Sequence, residues 1–232
     1  MKKPFPDIIL IHIICRKGFF MSAPISYWEE IKRKLIHLSS LWMVAAMLAL
    51  PRIFGYGRWI CSGIFLFCLL LTLVSEHDYA NGGKYLGKLY GKLFKNMLRA
   101  EVKPGQWIVS GGAPVLMAAL LLNLIFPPII AAASMAVMLT GDAAAALVGR
   151  KFGKHKLVNG KSLEGALSFI VMGYIFLSII GMICGACTSF YLFGAIGVIL
   201  GAVVELFTKQ IKIDDNFTIP LTVALILSLM FL

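Results

Sequence analysis

This sequence is short of charge: only 14% of its 232 residues are Asp, Glu, Lys or Arg, where a soluble domain carries about 25%. That deficit excludes a domain bathed on all sides by water. Acidic residues are the rarer sign, 11 against 22 basic ones. The net charge of +11 would suit a nucleic-acid partner. The cations, however, sit in short blocks between long apolar runs, the pattern of loops facing anionic membrane lipid, so no nucleic-acid partner is expected. Five cysteines are too few and too embedded in apolar runs for a disulfide scaffold. Cys184 and Cys187 form a C-x-x-C at a helix end, read as small residues at a tight turn ahead of a disulfide. Zinc is remote, because no second ligand pair accompanies them. No G-x-x-x-x-G-K-[ST] string occurs, which removes a P-loop. No internal repeat of the kind that marks many transporters is found.

What the chain has instead is apolar length: 59% of it is hydrophobic and its mean hydropathy is +0.87. Segments 35–51, 57–77, 107–126, 128–149, 164–184, 188–207 and 217–232 each approach the ~20 residues that cross hydrocarbon. They predict an all-α membrane protein of about seven transmembrane helices. With the N-terminus inside, segments 1–34, 79–106, 149–163 and 208–216 face the cytoplasm and hold 20 of the 22 Lys and Arg, leaving only Arg52 and Arg58 outside. The positive-inside rule selects that orientation. Within 81–99, Lys84, Lys88, Lys92, Lys95 and Arg99 alternate with Tyr85, Leu86, Leu89, Tyr90, Leu93 and Phe94. They predict a basic amphipathic helix lying on anionic lipid, weakened by Gly82, Gly83, Gly87 and Gly91. Residues 1–29 read as an N-terminal segment, interfacial or partly upstream of a start at Met21, and residues 30–232 as one integral-membrane catalytic domain.

On that topology all eleven carboxylates lie in cytoplasmic segments or near cytoplasmic helix ends. An inert anchor has no reason for such asymmetry, whereas a face that handles metal and phosphate does. Asp142 falls inside an apolar helix, and Glu205 lies near the end of another. A carboxylate in hydrocarbon costs a few kcal/mol, so by default it faces protein or a wet cavity and marks a candidate site. The small residues around Asp142 (Ala131–Ala133, Ser134, Ala136, Gly141, Ala143–Ala146, Gly149) leave two readings open: a flat surface that admits a nucleotide, or close helix packing. The loop that follows carries Arg150, Lys151, Lys154, Lys156 and Lys161 with two glycines. It ends at Ser162, a good N-cap, and offers phosphate oxygens charge, backbone N–H groups and a helix N-terminus. Asp214, Asp215 and Asn216 suit Mg²⁺, which takes oxygen ligands plus substrate phosphates, or equally a helix-capping turn. Glu30, Arg33, Lys34 and His37 share one helical stripe, read as snorkelling anchors or as lipid and phosphate contacts.

Taken in order, these residues resemble the membrane-embedded CTP-dependent lipid kinases, the phytol, dolichol and polyprenol kinases and the yeast-type diacylglycerol kinase. The motifs are Glu30-x-x-Arg33-Lys34-x-x-His37, then Arg99-x-Glu101 followed by Gly111 or Gly112. Next comes Gly141-Asp142-x-x-Ala145-x-x-x-Gly149-x-x-x-Gly153-Lys154, leading into Lys161-Ser162-x-Glu164-Gly165. Glu205 and Asp215-Asn216 with Pro220 close the series. The resemblance implies transfer of the γ-phosphate of CTP to a lipid alcohol at the cytoplasmic face of a prokaryotic inner membrane. It assigns Gly141, Arg150, Lys154, Lys161 and Ser162 to the nucleotide. Asp142, Asp215 and Asn216 would hold Mg²⁺, and Arg33, Lys34, His37, Arg99 and Glu101 would contact lipid or phosphate. Glu205 is the candidate base, a role it could exchange with Asp215. Phosphatidate cytidylyltransferases share the Gly-Asp and Lys-Ser-x-Glu-Gly motifs. Their closing histidine signature is missing, since no histidine follows His155.

Overall fold

The structure, a computed structural model, describes residues 27–83, 86–94 and 111–231. Among the described residues it is all-helical. In chain order the helices are α1 (Tyr27–Ser39), α2 (Leu41–Ile53), α3 (Gly57–Ala80), α4 (Leu86–Phe94), α5 (Gly112–Ile125), α6 (Pro128–Phe152), α7 (Leu163–Cys184), α8 (Thr188–Leu206), α9 (Thr208–Ile211) and α10 (Asp215–Ser228), with 3₁₀ turns at Val158–Gly160 and Leu229–Phe231. Among the described residues five stretches are long and apolar enough to cross a membrane: Tyr27–Ile53, Gly57–Ala80, Pro128–Phe152, Leu163–Cys184 and Thr188–Leu206. Gly112–Ile125 and Asp215–Phe231 are apolar but shorter. The chain is an integral membrane protein by this measure.

The first stretch begins eight residues before the apolar run suggests. α1 and α2 form nearly one rod, interrupted only at Ser40, whose N–H bonds to His37 O at 3.1 Å. A hydropathy count misses α1 because its inward face is charged: Glu30 and Lys34 are its buried residues. α6 is the hub. It packs most heavily on α7 and also touches α1, α2, α5, α8 and α10. Its apolar stretch is largely buried, whereas in each of the other four spans fewer than half of the residues are buried, as expected of helices that face lipid. Every residue from Ile130 to Gly141 is buried. Small side chains make that possible by letting neighbouring backbones close in. A Cβ on Gly165 would stand 3.0 Å from Ala145 O and 3.3 Å from Gly149 Cα. The small-residue face at Ala145 and Gly149 is therefore filled by α7, and of the two readings of that face the structure takes helix packing.

The basic helix appears as α4, folded back on the end of α3 through Gly82 (φ 105°) and Gly83 (φ 63°), backbone angles that favour glycine. The glycines expected to weaken it make its seat: a Cβ on Gly87 would meet Tyr79 N at 2.3 Å, and one on Gly91 would meet the Tyr79 ring at 2.5 Å. Lys88, Lys92, Leu86 and Leu89 stay exposed, while Tyr90 OH donates to the buried Glu76 at 3.2 Å. Lys84, Lys95 and Arg99 lie outside the described residues.

The two arginines outside the basic clusters have structural partners at the opposite end of the bundle. Arg58 donates from Nε to Asn123 O at 2.7 Å and from Nη2 to Leu124 O and Phe126 O at 2.6 and 3.2 Å. It thereby caps the last carbonyls of α5, where positive charge is favoured. Arg52 Nη2 donates to Cys184 Sγ at 3.1 Å. Cys184 and Cys187 are free thiols flanking a turn that Gly185 closes at φ 63°.

Candidate functional site

The stripe on α1 faces α6 rather than lipid. Lys34 forms an ion pair with Asp142 Oδ2, and His37 Nε2 lies 3.5 Å from the same oxygen. One turn earlier on α1, Glu30 is gripped by Arg33 through Oε1 and by Arg150 through Oε2 at 3.3 Å. α6 runs on to Phe152, three residues past the expected end, so Asp142 lies ten residues, about 15 Å, from its C-terminus.

The segment between α6 and α7 is a tight hairpin rather than an open loop. Leu157 N donates to Lys161 O at 2.7 Å and Leu163 N to His155 O at 2.9 Å. Asn159 takes the left-handed conformation at φ 63°. His155 meets Glu164 twice, ring Nδ1 at 2.7 Å and backbone N at 3.2 Å. Ser162 caps α7, its Oγ accepting from Gly165 N at 3.2 Å. The hairpin docks on the end of α8, where helix carbonyls lack partners. Asn159 Nδ2 donates to Leu206 O at 2.7 Å. Lys161 Nζ donates to Glu205 O at 2.5 Å and pairs with the Glu205 carboxylate.

At the start of α10, Asp214 is the cap: buried, it accepts from Asn216 N at 3.0 Å and from Asn216 Nδ2 at 2.8 Å. The capping reading thus holds for Asp214. Asp215 stands in the first turn of α10, near enough to His37 and Glu205 to act on their charge, and Asp142 likewise acts on Glu205.

The structure therefore brings together Lys34 and His37 from α1, Asp142 from α6, Lys161 from the hairpin, Glu205 from α8 and Asp215 from α10. Five segments, spread from residue 34 to residue 215, supply these charges, with two direct contact sets among them: Lys34 and His37 on Asp142, and Lys161 on Glu205. Other expected site residues lie beside it. Arg33 and Arg150 are engaged by Glu30. Lys154 is exposed on the hairpin. Gly141 faces the Phe169 ring, which a Cβ would meet at 2.9 Å. Ser162 works as a cap. Arg99 and Glu101 lie outside the described residues. Two contributors escaped the sequence reading: Arg150 as a partner of Glu30, and Asn159 as the latch on α8. Only the Asn-Gly string at 159–160, a turn signal, pointed to the second.

Among the described residues no three metal-ligating side chains form a ready-made cage. Asp142, Asp215 and Asn216 offer oxygen donors only. Mg²⁺ commonly takes one or two carboxylates and completes its shell with water and substrate phosphates, so this donor chemistry fits that ion.

No protein-family model matches the chain, and no solved structure does. A relative described as an uncharacterized protein from Rickettsia prowazekii (strain Madrid E) is 29% identical over 197 residues, covering 84% of this chain and 92% of that protein. The two are similar over nearly their full lengths.

Proposed function

We propose that this chain is a CTP-dependent kinase for a membrane lipid alcohol, with its working face in the cytoplasm of a prokaryote and α4 resting on anionic lipid. The observation that carries this reading is the convergence of Asp142, Glu205 and Asp215, from three helices, with Lys34 and Lys161 at one end of an apolar bundle. Buried charge of this density needs a reason beyond anchoring. A cavity of about 130 Å³ between α5 and α10, lined by residues including Ala118, Leu122, Phe126, Phe217 and Leu221, offers a lipid tail an apolar seat.

In this reading the lipid hydroxyl attacks the γ-phosphorus, its proton passes to Glu205, and CDP leaves. Bound Mg²⁺ would supply charge neutralisation at the phosphates during transfer, and Asp142 and Asp215, with Asn216, are the groups to hold it. Lys161 must turn from Glu205 toward phosphate, which frees the Glu205 carboxylate for the proton. Lys154 and Arg150 supply further positive charge along the approach. Purified protein given γ-labelled CTP and candidate alcohols (phytol, a polyprenol, diacylglycerol) should label the lipid, lose that activity in chelator, and use ATP less well at equal concentration. Label arriving from α-labelled CTP instead would identify a cytidylyltransferase, and absence of any labelled lipid would remove the kinase reading.

Seven crossings complete the topology in this reading, with Gly112–Ile125 and Asp215–Phe231 as short spans of about 21 and 25 Å. In a cysteine-free background, Tyr56→Cys should react with an impermeant thiol reagent in intact cells and Lys154→Cys should not. Tyr56 is 79% exposed, whereas the neighbouring Gly57 is unsuitable because a Cβ there would lie 1.9 Å from Leu50 O. Labelling of Lys154→Cys from outside would reverse the orientation.

A further inference from the structure

The stripe on α1 carries more than a contact. Lys34 and His37 both approach Oδ2 of Asp142, and among the described residues no hydrogen bond reaches Oδ1. The Lys34 side chain is 4% exposed and that of Asp142 14%, so the ammonium is the more buried member of the pair and the carboxylate side chain keeps some exposed surface. The position of Lys34 is also imposed from a second point. α1 and α6 run antiparallel here: Glu30 meets Arg150 near the end of α6, and Lys34 meets Asp142 eight residues deeper, about 12 Å along the axis. With Glu30 paired to Arg150 of α6, sliding of α1 along α6 would break both inter-helix ion pairs, and the Lys34 head cannot swing away without leaving its partner.

We infer that Lys34, assisted by His37, is a positioning residue that holds one oxygen of Asp142 and so presents the other to a divalent cation. The inference rests on the metal role given to Asp142 above and adds a specific division of labour. It takes Lys34 away from phosphate, the contact its sequence motif suggested. A metal-binding carboxylate is commonly fixed by a hydrogen bond to its other atoms, and loss of such a partner costs about 10–100-fold in metal affinity or activity. A lysine that served phosphate would need its ammonium free of Asp142, whereas here the two are paired.

Mn²⁺ binding to the purified full chain, followed by electron paramagnetic resonance, tests this without turnover. Lys34→Met keeps most of the aliphatic stem and should weaken Mn²⁺ binding about 10–100-fold, while CTP affinity in chelator stays within about twofold of wild type, the range of an uninvolved side chain. Lys34→Arg, which keeps a donor and the charge, should recover most of the Mn²⁺ affinity. Metal-free CTP affinity that falls with Lys34→Met would make the lysine a phosphate ligand and overturn the inference. So would Mn²⁺ binding that Asp142→Asn abolishes and Lys34→Met leaves intact. Mn²⁺ binding that neither variant alters, or that wild type lacks, removes the metal role of Asp142 itself and the inference with it. Should Lys34→Met not fold, the wild type still decides. Lys34 should remain shielded from a small amine-acylating reagent with and without Mn²⁺ and CTP, and its exposure on adding Mn²⁺ would show that metal displaces it.

Discussion

Asp142→Asn is expected to stop lipid phosphorylation and to weaken the fold in the same step. Loss of a charge-stabilising group of this kind costs about 10²–10³-fold in turnover. For an unpaired buried carboxylate, neutralisation would leave stability unchanged or improved, by relief of desolvation. The structure reverses that sign, because Asp142 is already neutralised by Lys34. Removing one member of a buried pair strands the other, at a cost of about 3–5 kcal/mol. Asn keeps a carbonyl that still accepts from the ammonium, so the lower end applies. Adding Lys34→Met removes the stranded charge, and the double variant should regain much of the lost melting temperature while remaining inactive. That opposite response of stability and activity separates a reacting carboxylate from a structural one. A double variant within about threefold of wild-type turnover, a difference of only about 0.65 kcal/mol, would leave Asp142 with no part in the chemistry.

The second large effect comes from a single methyl group. A Cβ on Gly153 would lie 2.1 Å from Gly149 O and 2.5 Å from Ser162 Oγ, and the carbonyl cannot move without unwinding the last turn of α6. Gly153→Ala should therefore displace the hairpin that carries Lys161 toward Glu205. Overpacking of this kind costs about 1–3 kcal/mol, and a shift of about 1 Å in a positioning element can cost 10²-fold in rate. Gly63→Ala is the control: nothing lies within 4 Å of its Cβ, and in the middle of α3 a methyl should be neutral or mildly stabilising. The outcome is read as melting temperature and turnover side by side. An enzyme that tolerates Gly153→Ala as well as Gly63→Ala would mean that hairpin placement does not matter to activity.

Much of the architecture is legible in the sequence because hydrophobic length is a one-dimensional property. Each predicted span overlaps helix where it is described, the first one across α1 and α2, and the run of small residues from Ala131 marks α6 as the helix that others crowd. What failed had a physical reason. A hydropathy count starts the first span at residue 35, since Glu30, Arg33 and Lys34 look like solvent residues until α6 is there to receive them. The glycines of α4 look like helix breakers until Tyr79 is found pressed against them. Arg52 and Arg58 look like exceptions to a charge rule, yet each has a partner fixed by the tertiary fold. The candidate site divides the same way. Its carboxylates stand out by rarity, but the choice of partner for each does not: Lys34 and Asp142 are 108 residues apart, and no local pattern distinguishes Lys161 from Lys154 as the lysine that turns inward to Glu205.

The central place of α6 has a consequence for how the protein is made. Over its apolar 18-residue stretch the mean hydropathy is 1.7 against 2.4 for that of α7, and its polar and small residues suit it to neighbours, not to lipid. Emerging alone from a ribosome into a bilayer, such a segment would sit there poorly, with Asp142 opposing its insertion by a few kcal/mol. α7 follows after a hairpin of about ten residues, is strongly apolar, and already has the glycine that fits against α6. Insertion of the two as one helical pair, the second segment drawing in the first, offers the central helix a greasy escort before α8 and α10 arrive to enclose it.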